Sequence, residues 1–375
     1  MNKEKPEVIA FYLPQYYPTP ENSEWFGPGF TEWTNVGKTR PLFKGHYQPK
    51  VPADLGYYDL RLPEVREQQV ALAREAGVAA FCYYHYWFGN GMQMLEKPLQ
   101  EVVRLKQPDF PFCVCWANHT WYKKTWDSEQ NVLNKVPLLK QDYPGEKDID
   151  DHFYSLLPAF KDERYYKVDG RLLFVLYRIE DIPDAANYLN RWQELAAKEG
   201  LPGFYFLSYV DDAARLSHPT HQLCEGTIVL NKAAIESVGR NKTVRKASRF
   251  AREWLAKAMR VPLNVYPYAK VRQKLSSPLF AQERIVPTLL PNWDNSPRRG
   301  TGALILDEAT PEQFQMHCRE VFDFVEKKRN KLVFLKSWNE WGEGNYMEPC
   351  LKYEHGYLKA LHSALVENEK IESEK

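Results

Sequence analysis

The stretch Lys331–Pro349, which reads KLVFLKSWNEWGEGNYMEP, decides how the rest of the chain is interpreted. Its first part, Leu332–Leu335, is short and wholly apolar, which is typical of a strand buried on both faces. The run then breaks into a segment that holds two acidic residues, Glu340 and Glu343, among tryptophans and glycines. Such a segment at the end of a buried parallel strand predicts a site for chemistry rather than a piece of core.

Paired carboxyl groups beside tryptophans suit the chemistry of sugars. Cleavage of a glycosidic bond needs one carboxyl group that donates a proton and another that acts as base or nucleophile. Tryptophan faces can stack on the apolar face of a pyranose ring, and glycines allow a tight loop. The alternative is that Glu340 and Glu343 begin a helix, where acidic residues complement the dipole. On such a helix their spacing would suit a retaining pair, while an inverting pair stays open.

Composition excludes several other classes of protein. The 375 residues with 44% hydrophobic content can bury a large core, and a net charge of +1 gives no reason to expect nucleic-acid binding. The 6 cysteines show no zinc-binding spacing, and no metal or other cofactor is predicted. The N-terminus lacks the apolar core of a signal peptide, and no apolar run of about 18 residues could span a membrane, so a cytoplasmic protein is expected.

Eight short apolar segments alternate with helical patterns along the chain. The expected strands are Val8–Tyr12, Val78–Tyr84, Phe110–Trp116, Leu172–Tyr177, Phe204–Tyr209, Cys224–Leu230, Arg284–Leu290 and Leu332–Leu335. This alternation predicts an α/β fold of the (β/α)8 TIM-barrel type, as a single catalytic domain over residues 1–375 with long βα-loop insertions. A doubly wound sheet would instead carry a Gly-rich phosphate loop after its first strand, where this chain reads YLPQYYP.

Polar and aromatic side chains at the strand ends are the candidate substrate contacts, because active sites of such barrels lie at the C-terminal ends of the strands. They are Tyr12, Gln15, His85, Trp87, Trp116, Asn118, Asn292, Trp293, Asp294, Trp338, Asn339 and Trp341. For several of them a packing histidine, a core tryptophan or a turn asparagine is the plainer interpretation. Glu348 is expected to support the site or a turn rather than to act as a third acid.

A basic insertion at about residues 231–282 interrupts the barrel pattern, and it contains the helical stretch Thr243–Arg260. A solvated helix face is the plainer interpretation. The alternative is peripheral contact with anionic lipid or with a lipid-linked glycan. The triplet Asp148-Ile149-Asp150 has the DxD spacing of metal sites in many nucleotide-sugar transferases, but it precedes a helical pattern, so helix capping explains it better.

Several longer motifs resemble those of known families. The segments IAFYLPQYYP, FTEWTNV, PLFKGHYQP and WNEWGEGNYMEP resemble the WbsX-type proteins of bacterial polysaccharide clusters, which are often labelled glycosyltransferases. The final EWxEG…EP block also resembles, more distantly, glycoside hydrolase family 99, the endo-α-mannosidases and endo-α-mannanases. That resemblance implies a metal-independent barrel enzyme that retains configuration through a 1,2-anhydro sugar. Glu340 would take the proton of the sugar 2-hydroxyl and Glu343 would be the general acid/base. Family 99 has His where this chain has Gly342.

The sequence therefore predicts a retaining glycoside hydrolase that acts on a mannose-like or related residue of a bacterial polysaccharide, with burial raising the pKa of its acid. The alternative is a glycosyltransferase that assembles O-antigen or capsule polysaccharide, although no nucleotide-binding half-domain is recognisable. A third hypothesis is a glycan-binding barrel without catalysis, and the intact pair of glutamates argues against it.

Overall fold

A closed barrel of eight parallel strands forms the centre of the computed structural model, which describes residues 5–127, 132–238, 262 and 264–373. The strands are β1 Glu7–Tyr12, β2 Ala80–Trp87, β3 Phe112–Trp116, β4 Arg171–Leu176, β5 Phe204–Val210, β6 Gly226–Val229, β7 Ile285–Leu289 and β8 Leu332–Leu335. Neighbours in the chain pair with each other, and β8 closes the ring on β1, with Val333 opposite Val8. The predicted (β/α)8 fold is confirmed.

Helices surround the barrel and connect its strands. They are α1 Pro20–Phe26, α2 Glu32–Gly37, α3 Pro63–Ala76, α4 Lys97–Leu105, α5 Glu146–Phe160, α6 Ala185–Lys198, α7 Lys232–Ser237, α8 Tyr268–Leu275, α9 Ser296–Arg299, α10 Pro311–Val325 and α11 Gly356–Ser373. Sequence signals fix their ends: α3 has proline in its first turn, and Gly77 ends it in the left-handed conformation at φ 80°. The last helix, α11, packs against α3 and α10 and so closes the outer ring as well.

Shorter strands build the loops on the barrel. The pairs are Trp121–Asp127 with Val132–Leu139, Asn264–Pro267 with Leu304–Asp307, and Asn339–Glu340 with Asn345–Tyr346. Gln93–Met94 pairs antiparallel with β2, and Lys167–Val168 pairs antiparallel with β4. The predicted basic helix Thr243–Arg260 lies outside the described residues. Within the described ranges, no helix combines the length and the apolar character needed to cross a membrane.

Aromatic side chains fill the barrel interior. Phe11 of β1 has its ring centroid 5.3 Å from that of Tyr84 in β2, 5.8 Å from that of Tyr209 in β5 and 5.0 Å from that of Phe334 in β8. Side chains from four different strands meet in this way only on the inner face of a closed barrel. They form a packed floor, and the mouth of the barrel, where the strands end, lies above it.

Candidate active site

The two glutamates of the EWGEG motif lie in a hairpin directly after β8. Asn339–Glu340 pairs with Asn345–Tyr346 in antiparallel register, and the residues Trp341–Glu343 between them form one turn of 3-10 helix. Gly344 ends this turn in the left-handed conformation at φ 60°. We call residues 339–346 the site hairpin. The interpretation of both acids as the start of an α-helix is therefore wrong, because the chain turns back on itself after a single turn.

Two residues fasten the site hairpin to the end of β1. The Asn339 side chain accepts a hydrogen bond from the Leu13 backbone N–H at 2.7 Å and donates to the Leu13 carbonyl at 3.0 Å. The hydroxyl of Tyr16 donates to the Asn339 carbonyl and accepts from the Trp341 backbone N–H, the latter at 3.1 Å. Asn339 is fully buried, so its amide holds the loop in place instead of facing the mouth.

Glu348 supports the same hairpin through three hydrogen bonds. Its carboxylate accepts hydrogen bonds from Trp341 Nε1 at 2.6 Å, from Gln69 Nε2 at 2.6 Å and from the Tyr58 hydroxyl at 2.9 Å. Burial raises the pKa of Glu348 to about 7 against the opposing effect of these donors. The ring of Trp341 stacks on Tyr346 with centroids 3.8 Å apart, so this tryptophan is buried in the loop. The contacts of Glu348 agree with the supporting position predicted for it.

A buried lysine holds Glu340. Lys336, the residue that follows β8, donates from Nζ to Glu340 Oε1 at 3.0 Å and to the Tyr84 hydroxyl at 3.0 Å. Glu340 is only 4% exposed. Burial raises the pKa of Glu340, and the neighbouring Glu343 adds to this while Lys336 opposes it, with the net shift upward.

An arginine from the loop after β7 holds Glu343. Arg298 Nη1 donates to Glu343 Oε1 at 2.8 Å, and its Nε and Nη2 bind Glu32 Oε2 at 3.0 and 2.9 Å. The Glu343 side chain keeps 20% of its surface exposed, so it faces the mouth. Burial raises and Arg298 lowers the pKa of Glu343, with the net shift downward. The expected rise in the pKa of the acid is therefore wrong, because the surrounding cations outweigh the effect of burial.

The two carboxyl groups lie close enough to influence each other, and the charge of Glu343 raises the pKa of Glu340. Like charges close together disfavour the ionisation of both groups, so the two titrate as a pair. The pKa of Glu340 is shifted upward and that of Glu343 downward, so Glu343 ionises at lower pH than Glu340 does. We call these two residues the carboxyl pair.

The glycine between the two acids leaves room for the Glu32–Arg298 ion pair. A Cβ atom at Gly342 would lie 1.9 Å from Glu32 Oε2 and 3.1 Å from Arg298 Nε. The FTEW segment after β1 thus occupies the space that a larger side chain at this position would need. The histidine of the family 99 motif cannot be placed here while Glu32 keeps its position.

Aromatic and cationic side chains complete the mouth around the carboxyl pair. Tyr177 and Tyr209 stack with centroids 4.6 Å apart. Lys232 Nζ lies 4.9 Å from the Trp293 ring centroid, and Lys336 Nζ lies 5.9 Å from it. The Tyr209 hydroxyl and Trp293 Nε1 are buried and have no hydrogen-bond partner within the described structure. Both side chains are buried, so they form part of the packed wall of the mouth.

Of the residues predicted after β7, Trp293 lies beside the carboxyl pair, whereas its neighbours shape the loop. Asn292 is half-buried, and its Oδ1 accepts a hydrogen bond from the next backbone N–H at 2.7 Å. Asp294 is buried and accepts from His46 Nε2 at 2.9 Å and Gln48 Nε2 at 2.6 Å. These partners belong to the PLFKGHYQP segment, so Asp294 ties that segment to the site.

Residues predicted as contacts on β2 and β3 point away from the mouth. His85 Nε2 contacts His152 Nε2 at 2.9 Å, Trp87 Nε1 donates to Asp148 at 3.1 Å, and Trp116 Nε1 donates to the Trp87 carbonyl at 2.9 Å. The reason is strand alternation: Tyr84 faces the barrel interior, so residues one and three positions later face α5 on the outside. These three residues are not in position to contact a sugar at the carboxyl pair.

The remaining predicted contacts also serve packing or loop geometry. Tyr12 follows the inward-facing Phe11 on β1, and its hydroxyl donates to Gln69 of α3 at 2.6 Å. Asn118 binds the backbone of Arg178 through both side-chain atoms, at 2.7 and 2.9 Å. The side chain of Trp338 is buried against Phe81, with centroids 5.2 Å apart. The Gln15 carbonyl accepts from the Glu32 backbone N–H at 3.1 Å and so helps to place that residue.

Sequence reasoning missed the residues that hold the carboxyl pair, namely Lys336, Tyr84, Arg298 and Glu32. One signal was available: a lysine that directly follows a buried apolar strand is a candidate for the mouth of the barrel. The others come from distant parts of the chain, because Glu32 and Arg298 are separated by 266 positions. Nothing local in the sequence joins them.

The two aspartates of the DxD triplet bind other residues of the protein instead of capping a helix. Asp148 lies inside the first turn of α5, whose cap is Gly145, and it accepts from the Asn90 backbone N–H at 2.6 Å. Asp150 binds Arg191 at 2.7 Å. The capping explanation is thus wrong in detail, since Asp148 ties α5 to the loop after β2. In the part of the chain that the structure describes, no group of three or more His, Cys, Asp or Glu side chains could hold a metal ion.

The fold defines the class of protein, which is that of the (β/α)8 barrels. Residues 8–361 match the model of the family described as "Glycosyltransferase WbsX", and the chain belongs to this family. The WxcX proteins of two strains of Xanthomonas campestris pv. campestris, described as uncharacterized, are 33% identical to it over 362 residues, or 96% of the chain. The chain spans about half the length of these relatives, at 49%.

Solved structures share the barrel. Two structures of the GH99 endo-α-mannosidase from Bacteroides thetaiotaomicron are 15% identical, with TM-scores of 0.54 and 0.52, and they cover 98% of this chain and 99% and 98% of the enzyme. A "glycoside hydrolase-like protein" is 14% identical with a TM-score of 0.58, covering 97% of this chain and 95% of its own. At such identities the likeness concerns the fold alone.

Proposed function

We propose that this protein is a retaining glycoside hydrolase that acts through a 1,2-anhydro sugar on a mannose-like or related residue of a bacterial polysaccharide. The observation that carries the proposal is the carboxyl pair, whose two groups belong to the same hairpin turn while each is held by its own cation, Lys336 for Glu340 and Arg298 for Glu343. Two neighbouring carboxyl groups whose pKa values are shifted apart match what this chemistry requires, a base and an acid.

The two pKa shifts run opposite to the two roles, so substrate binding has to favour ionised Glu340 and protonated Glu343. In the bound complex Glu340 would be the carboxylate and Glu343 the carboxylic acid. Glu340 could then take the proton of the sugar 2-hydroxyl, and the resulting oxygen would attack the anomeric carbon. Glu343, the more exposed of the two, would protonate the leaving oxygen and later activate the water that opens the anhydro ring.

The mouth would bind a neutral sugar ring through aromatic side chains. Trp293 and Tyr209 are buried there, and their Nε1 and hydroxyl have no hydrogen-bond partner among the described residues, so sugar hydroxyls would bind them once the surrounding side chains open. Aromatic faces and convergent polar groups are typical of small-ligand sites. We therefore propose an oligo- or polysaccharide as the partner of this site.

The two roles can be tested with Glu340→Gln, Glu343→Gln and a series of aryl α-glycosides whose leaving groups differ in pKa. Each variant should lose about 10²–10⁴-fold in kcat/KM on a natural-type oligosaccharide, because one proton transfer is removed. Glu343→Gln should recover activity as the leaving group improves, since a good leaving group needs no acid, whereas Glu340→Gln should not recover. Product NMR should show retention of configuration.

Two outcomes would contradict this proposal. Full activity of either folded variant would remove the carboxyl pair from the reaction. Recovery of Glu340→Gln, rather than of Glu343→Gln, would reverse the two roles. A matched control is Glu348→Gln, which alters a buried acid beneath the hairpin and should show no dependence on the leaving group.

The alternative function is transfer of a sugar during O-antigen or capsule synthesis, which the family's description favours. Transfer from a nucleotide sugar would require cations for the diphosphate. Lys336 and Arg298 are already ion-paired with carboxylates, so neither is free to bind a diphosphate. Calorimetry with a panel of nucleotide sugars tests this function, because a donor substrate should bind in the micromolar to millimolar range.

Location and membrane contact also belong to the proposal. All six cysteines are free and buried, which is compatible with the reducing cytoplasm predicted from the sequence. Peripheral contact with anionic lipid or a lipid-linked glycan through the basic insertion stays a prediction, since its basic helix lies outside the described residues.

A further inference from the structure

Lys336 is a buried cation at the floor of the site. It is 4% exposed, and its ammonium group lies 5.5 Å from the Tyr84 ring centroid and 5.9 Å from the ring centroids of both Phe11 and Trp293. Burying a charge in an apolar surrounding is costly unless it is paired and hydrogen-bonded. Lys336 meets this condition through Glu340 and the Tyr84 hydroxyl.

No other charged group in the described part of the chain contacts Glu340 in the way that Lys336 does. Glu343 is an acid and raises the pKa of Glu340 further. Arg298 acts on Glu340 only at longer range, because all its short contacts are with Glu343 and Glu32. The tyrosines near Glu340, at positions 84, 86, 177 and 209, are neutral because burial raises the pKa of each. Lys336 is thus the one cation in direct contact with Glu340 among the described residues.

We propose that Lys336 is a positioning residue that fixes the Glu340 carboxyl group against the Tyr84 floor and keeps it able to ionise while buried. The catalytic meaning of this inference rests on the proposed function, in which Glu340 must give up its proton before it acts. Without the ammonium group the buried Glu340 would ionise only at higher pH, because Lys336 lowers its pKa. Lys336 itself touches Glu340 and Tyr84, and it takes no part in bond making.

The direct test is the titration of Glu340 in protein labelled with ¹³C at the glutamate carboxyl groups. The Glu343→Gln background removes the coupled partner, so that a single group of the pair titrates. The Glu340 signal is assigned by its loss in Glu340→Gln. Lys336→Met should raise the pKa of Glu340 by about 1–3 units, because a neighbouring opposite charge shifts a carboxyl pKa by this amount.

Two further variants guard against a general effect on folding. Lys336→Gln removes the charge but keeps a donor for Glu340 and Tyr84, so it serves if the methionine variant does not fold. Lys328→Met is the matched control: Lys328 is also buried, but it donates to the Ile285 carbonyl at the base of β7. It should leave the Glu340 titration unchanged. An unshifted Glu340 in folded Lys336→Gln would overturn the proposal.

Kinetics separate this inference from the proposed function. In an active enzyme, Lys336→Gln should lower kcat more than it raises KM and move the acid limb of the kcat/KM profile to higher pH. A shifted titration in a protein that cleaves no glycoside would refute the proposed hydrolase and leave the Lys336–Glu340 coupling established. An unchanged pH profile in an active variant would refute the positioning role.

Discussion

Gly342 is the residue whose replacement should disturb the site most directly. Even an alanine would put its Cβ 1.9 Å from Glu32 Oε2, and Glu32 is buried in its ion pair with Arg298. A carboxylate held in this way cannot move without releasing the arginine. The arginine in turn lowers the pKa of Glu343.

We predict that Gly342→Ala lowers stability by about 1–3 kcal/mol, the usual cost of overpacking, and raises the pKa of Glu343. Calorimetry and carboxyl NMR measure the two effects. Gly302→Ala is the matched control, because a Cβ at Gly302 meets no atom within 4 Å. Combining Gly342→Ala with Glu32→Ala should cost less than the sum of the two changes. Equal tolerance of Gly342→Ala and Gly302→Ala would contradict this prediction.

The sequence identified the two acids of the site but not the residues that hold them. Glu340 and Glu343 stand in a motif whose composition points to sugar chemistry. Arg298 and Glu32 are ordinary surface residue types in the sequence, and their function depends on a contact across 266 positions. Pair contacts of this kind follow from the closed barrel and cannot be read from local patterns.

The elements themselves were predicted well where apolar runs are long, and less well at their ends. The second strand was expected to stop at Tyr84, but β2 continues to Trp87 and pairs there with Gln93–Met94. A strand buried on both faces has no polar alternation that tells its inner face from its outer face. His85 was therefore assigned to the mouth, although it faces α5.

The site hairpin depends on Glu348, and its pH dependence can be predicted. The pKa of Glu348 is raised to about 7 in the folded protein, above its ordinary value of 4.5. The protonated carboxyl therefore stabilises the fold at low pH, and this contribution is lost as the pH rises from about 4.5 to 7. Over this range the wild type should lose up to about 3 kcal/mol relative to Glu348→Gln, which cannot ionise.

Chemical denaturation of both proteins at several pH values measures this difference. Only the change of the difference with pH is diagnostic, since glutamine also alters the hydrogen bonds to Trp341 and Tyr58. Curves that run parallel between pH 4.5 and 7 would show that the pKa of Glu348 is not raised.

The whole molecule contains buried histidines that act in the opposite direction. Burial lowers the pKa of His85 to about 3, of His317 to about 3 and of His221 to about 4. In the unfolded chain each histidine takes up a proton near its ordinary pKa of 6.5, whereas in the folded protein it stays neutral. Each buried histidine therefore lowers the stability of the fold as the pH falls below 6.5, by up to about 2 kcal/mol at pH 5. His85→Asn, which cannot take up a proton, should therefore gain relative to wild type between pH 7 and 5. A constant difference over this range would contradict the buried neutral state.

Each part of the site comes from a different segment of the chain. Glu32 follows the first strand, Tyr84 lies in the second, Arg298 follows the seventh, and the two acids follow the last. Glu340 and Glu343 therefore come after all the residues that hold them. A fragment that stops before β8 lacks both acids, and in it Arg298 is left with Glu32 as its single partner of the two carboxylates that it binds in the whole site.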